Sequence, residues 1–68
     1  MARDKWTGRL IGRMHNEDVT YDELGKEVGI CKGYVSMILN GERKPKGMQA
    51  KMEAAFEAII ARRKEEQA

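Results

Sequence analysis

Little in this chain of 68 residues is chemically reactive or covalently constraining: it has one cysteine, one histidine, one proline and four aromatic side chains. A lone Cys31 excludes an internal disulfide, and a lone His15 leaves no ligand cluster for a transition metal. Those two residues and scattered surface carboxylates cannot assemble a nucleophile, base and orienting group, so no enzyme and no cofactor are expected. Long apolar runs are missing too. The longest uncharged stretch is Gly33 to Gly41, far short of the ~20 apolar residues that cross a bilayer. The opening "MARDKWTGRL" has no apolar segment of the kind a secretion signal carries. A cytoplasmic protein without membrane contact is expected. So small a chain buries only about 60% of the surface its unfolded form exposes. It leaves no room for a ligand-sensing domain, so no small-molecule ligand is expected, and it must hold together through its apolar core, helped by self-association.

A net charge of +2 does not by itself name nucleic acid as a partner, but the charges are unevenly placed. Basic residues number four against one acidic over positions 1–16, one against five over 17–29, four against one over 30–47, and four against four over 48–68. Two basic blocks therefore flank an acidic one.

No sustained alternation of apolar and polar residues is present. Apolar positions recur at spacings of three and four, the period of helices. Trp6, Leu10 and Met14, with Ile11 alongside, mark one stripe of a first helix from about Asp4 to Asn16, with Arg9 and Arg13 turned to water. In "VTYDELGKEVG", Thr20 and Glu23 have the spacing of a capping box, which predicts a helix over 21–28 with Leu24 and Val28 inward and Gly29 as its stop. "CKGYVSMILNG" predicts a helix over about 32–40 that buries Val35, Ile38 and Leu39 and turns Lys32, Gly33, Ser36, Met37 and Asn40 outward, with Asn40-Gly41 ending it. Pro45 interrupts the chain. A long last helix over about 47–66 follows, with Met48, Met52, Phe56, Ile59 and Ile60 as its core face and Ala50, Ala54, Ala58 and Ala61 as a second, shallow stripe. The closing "RRKEEQA" has no apolar anchor and is expected to fray.

Two short helices joined by a tight glycine turn are what a helix-turn-helix requires. Gly25 stands where the two axes cross and only a small side chain fits. Ile30, Val35 and Ile38 pin the second helix to the core. Its outer face is then free to enter a major groove, with the basic "ERKPK" tail near the flanking phosphates.

At this point the chain resembles the lambda Cro and repressor-like helix-turn-helix domains. The likeness covers Thr20 to Pro45, in "TYDELGKEVGI" and "YVSMILNGERKP", and the number and order of the outer helices agree. The resemblance implies an all-α, compact four- to five-helix repressor-like domain with a long C-terminal helix, spanning residues 1–68 as one domain. It implies a transcriptional regulator that binds double-stranded DNA as a homodimer and represses by occluding its operator, in a prokaryotic or phage-encoded setting. Carried over position by position, Lys32, Gly33, Ser36 and Met37 face base edges. Thr20, Tyr21, Asn40, Arg43 and Lys44, with Lys46 beside them, lie along phosphates, and Tyr34 either packs under the helix or reaches one. Two positions depart from the pattern: Cys31 replaces a usual Ser or Thr cap, and Gly25 a usual Ala.

The long helix leaves two readings open. Its apolar surface either serves the protomer alone, or Ala54, Ala58, Ile59 and Ile60 contact a second copy. The rival function is a protein-interaction adapter, antitoxin- or antirepressor-like, that docks its partner on that helix. The sparse reading face, Gly33 and Met37, favours this rival.

Overall fold

The computed structural model describes residues 5–67, which form four α-helices and no strand. They are α1 (Lys5–Asn16), α2 (Tyr21–Val28), α3 (Lys32–Leu39) and α4 (Met48–Gln67). The expected start of α1 at Asp4 lies outside the described residues.

Local chemistry explains where three of these helices end. Helix α1 stops because Asp18 takes a left-handed conformation, φ 56°, which lets Val19 N–H reach back to the Met14 carbonyl at 2.9 Å. Gly29 does the same for α2 at φ 96°, and the amides of Gly29 and Ile30 both donate to the Gly25 carbonyl, at 2.7 and 2.8 Å. The Asn40-Gly41 pair closes α3. With Gly41 at φ 84°, Glu42 N–H donates to the Met37 carbonyl at 2.8 Å and Gly41 N–H to the Ile38 carbonyl at 3.1 Å, the paired bonds of a Schellman motif. Helix α2 begins at the expected capping box: Glu23 N–H donates to Thr20 Oγ1 at 3.1 Å, and Thr20 N–H to the Glu23 carboxylate at 3.3 Å.

Helices α1 and α2 each pack against both α3 and α4, whereas no Cα of α3 comes within 8 Å of one in α4 among the described residues. The core lies between these layers. Leu10 and Met14 from α1, Leu24 from α2, Val35, Ile38 and Leu39 from α3, and Met48, Met52, Phe56 and Ile59 from α4 are all buried in it. Each such side chain contributes roughly 1.5–3 kcal/mol by leaving water. At 20 residues α4 is the longest helix, and the molecule measures 41 × 21 × 18 Å.

Ion pairs seam α4 to the rest. Arg13 lies over the Phe56 ring, 4.6 Å from its centre, and pairs with Glu57. Arg62 pairs with Glu27, and Arg63 with Glu23 at 2.8 Å. Of the "RRKEEQA" expected to fray, Arg62 and Arg63 are paired with the acidic 17–29 block, and Ala68 lies outside the described residues. The helix continues to Gln67, with those carboxylates in place of apolar anchors. No helix among the described residues is long and apolar enough to cross a membrane.

Candidate nucleic-acid interface

The approach of α3 to α2 sets up the site. A Cβ added at Gly25 would stand 2.6 Å from the Ile30 carbonyl oxygen and 3.2 Å from Val35 Cγ2. The turn between the helices therefore wraps directly over Gly25, which accounts for glycine where the resembled family commonly has alanine. With Val35, Ile38 and Leu39 buried, the opposite side of α3 faces out by helical periodicity.

Lys32, Gly33 and Asn40 are exposed, Ser36 is half-buried, and Met37 is 41% exposed, the one large apolar side chain so open among the described residues. Ser36 and Asn40 are joined: Asn40 Nδ2 donates to Ser36 Oγ at 3.2 Å, which leaves the serine hydroxyl proton free to donate elsewhere. A shallow groove between the beginnings of α2 and α3 brings Lys32, Gly33 and Ser36 together with Thr20, Tyr21 and Asp22. Tyr21 and Tyr34 are half-buried and rest on the core. Arg43, Lys44 and Lys46 are exposed on the α3–α4 loop. Arg43 and Lys44 also line a second concavity with Trp6 and the first residues of α4.

Cys31 is the N-cap of α3, with φ −77° and ψ 157°, and it makes no side-chain cap bond. An exposed sulfur thus occupies the place where an oxygen would accept from an orphan amide.

The first turn of α2 carries two acidic residues: Glu23, the expected capping-box partner of Thr20, and its neighbour Asp22. Asp22 lines the groove and Glu23 does not, and each has a cation. Lys26 Nζ lies 3.3 Å from Asp22 on the exposed surface. Arg63 Nη2 lies 3.1 and 2.8 Å from the two oxygens of Glu23, and its guanidinium also donates to the carbonyls of Glu17 and Asp18, the latter at 3.1 Å. Partial burial works to raise the Glu23 carboxyl. The Thr20 amide, the Arg63 guanidinium and the Thr20 hydroxyl outweigh it and hold the group below its ordinary value of 4.5. Sequence reasoning missed Arg63. Its one available signal was the opposite charge of the 17–29 block and the Arg62-Arg63 pair, and charge alone does not say which residues meet.

On α4, Ala54 and Ala58 are exposed and Ile60 is half-buried. Ile59, expected as a contact for a second copy, is 3% exposed and belongs to the core. The described residues contain no group of three or more His, Cys, Asp or Glu placed to hold a metal ion. No family model matches the chain, and no curated protein or solved structure is significantly similar to it.

Proposed function

We propose that the chain is a sequence-specific double-stranded DNA-binding regulator of the lambda Cro and repressor-like helix-turn-helix kind, acting as a repressor by occupying its operator. The observation that carries this reading is the placement of α3. Its Lys32–Met37 side is open, the start of α2 flanks it, the exposed basic 43–46 loop follows it in the chain, and α4 stays clear. An α-helix with its side chains is about 10–12 Å across, and a major groove about 12 Å wide admits it.

In this reading Lys32 donates to guanine, Ser36 donates to or accepts from a base, and Met37 touches a thymine methyl. Gly33, with nothing within 4 Å of a Cβ placed on it, lets the groove wall approach the helix backbone. Thr20, Tyr21, Tyr34, Asn40, Arg43, Lys44 and Lys46 position the protein on phosphates, and binding weakens steeply with salt as counterions are released. So few base contacts give one protomer modest affinity. A two-fold homodimer reading half-sites about 34 Å apart supplies the rest, its contacts falling on Ala54 and Ala58, because Ile59 is spent internally and Ile60 lies on another side of α4, beside Arg13 and Glu57.

Selection of bound sequences from a random DNA pool tests the reading: enrichment of a two-fold symmetric site supports it, and no retention at low or moderate salt rejects it. The adapter reading draws on the exposed Ala54 and Ala58 of α4. A protein that retains no DNA yet captures a partner through those alanines would establish it instead.

A further inference from the structure

We propose that Arg63, near the far end of α4, is a positioning residue for the DNA-binding face: it holds the beginning of α2 in place and neutralises the carboxylate that stands there. The proposal rests on the DNA-binding reading above and extends it to a residue remote in sequence from the helix-turn-helix.

One guanidinium joins three segments. It donates to the main-chain carbonyls of Glu17 and Asp18 in the α1–α2 turn and to both oxygens of Glu23 in the first turn of α2. The planar fork of arginine suits this, since its several donors lie in fixed directions, whereas an ammonium offers a point charge. Glu23 in turn accepts from the Thr20 amide and hydroxyl. The chain of bonds therefore runs from α4 through Glu23 to Thr20, at the edge of the groove that also contains Lys32 and Ser36.

Electrostatics give the same residue a second task. Glu23 follows Asp22, which lines that groove, so an unpaired Glu23 carboxylate would add negative charge beside the surface proposed to meet phosphate. Arg63 sits on that carboxylate while remaining about two-thirds shielded from solvent, its side chain 32% exposed, so salt screens this pair less than it screens the exposed Lys26–Asp22 pair.

The test is fluorescence-anisotropy titration of a labelled random-sequence duplex with the full chain as wild type, R63K, R63M, E23Q and E23Q/R63M. Each protein is assayed well below its own melting temperature, with Lys32→Ala for comparison. R63M is expected to bind about three- to tenfold more weakly on every sequence alike, because the change touches phosphate placement and not base reading. R63K should fall between wild type and R63M, and serves as the informative variant if R63M fails to fold. E23Q/R63M should regain the part of the loss owed to the uncompensated carboxylate, which lost stability alone would not produce, while the part owed to the missing bonds to Glu17 and Asp18 remains. A folded R63M or R63K that binds like wild type, or an E23Q/R63M no better than R63M, would overturn the proposal while leaving DNA binding intact. A wild-type protein that binds no duplex would remove both.

Discussion

Replacing Gly25 with alanine sets two physical effects against each other, and the structure decides between them. Gly25 is interior to α2 and its φ is not positive, so helix propensity alone says that alanine stabilises by about 1 kcal/mol. Against this, the new Cβ would lie 2.6 Å from the Ile30 carbonyl oxygen, 3.2 Å from Val35 Cγ2 and 3.4 Å from the Cys31 carbonyl carbon. Two of those atoms are backbone, in a turn tied to Gly25 itself by the Gly29 and Ile30 amides. Relief requires the turn to lift, at the usual overpacking cost of about 1–3 kcal/mol, and lifting it weakens two hydrogen bonds worth about 1 kcal/mol each. The net expectation is a loss of about 1–2 kcal/mol, or a fall in Tm of at least several degrees for a domain of this size. Gly8 and Gly12 in α1 provide the control: a Cβ at either meets nothing within 4 Å, so Gly8→Ala and Gly12→Ala should each stabilise by about 0.5–1 kcal/mol. Urea unfolding followed by circular dichroism measures all three. A Gly25→Ala protein as stable as the α1 variants would refute the account of how α2 meets α3.

Other expectations follow from single residues. Cys31→Ser places an oxygen at an uncapped N-terminus and should stabilise by about 0.5–1 kcal/mol, read by the same denaturation; a null or negative change would mean that the amides of α3 are already satisfied. Lys32→Ala should cost roughly 1–3 kcal/mol on the selected site and relax the preference at one base, whereas Arg43→Ala should weaken all sequences alike. Competition titrations against random DNA separate the two, and equal losses on both kinds of DNA would deny Lys32 a reading role. Acid should cost stability through Glu23. Its folded-state value lies below the unfolded one, so its contribution is complete above about pH 4.5 and is lost as pH falls through the lower, folded value. Unfolding curves of wild type and E23Q at neutral and acid pH should therefore converge toward acid, and a constant gap between them would contradict this.

The parts legible from the amino-acid order were those governed by neighbours in sequence. Thr20 and Glu23 are three apart, so their reciprocal cap was visible before any fold was known. Gly29 and Gly41 announced the ends of α2 and α3 because left-handed backbone there is open to glycine. The outward side of α3 followed from the period of Val35, Ile38 and Leu39. Contacts between distant segments were not legible. Asp18 adopts the left-handed conformation without being glycine, and the arginine that donates to its carbonyl lies 45 positions on. Ile59 and Ile60 are adjacent, and apolar periodicity put both on the core face. Only the seating of α4 against α1 and α2 buries the first and leaves the second half-open. The acidic block at 17–29 was evident as a charge imbalance, but its assignment to Arg62 and Arg63 depends on how far along α4 those helices sit.

DNA is expected on the face built from the starts of α2 and α3, and amide chemical-shift mapping during titration with the selected duplex checks this. Perturbations should concentrate at Thr20 to Asp22, Lys32 to Met37 and Arg43 to Lys46, with Ala54 and Ala58 little changed beyond any dimer contact. Shifts confined to the exposed side of α4, or none at any salt concentration, would contradict it.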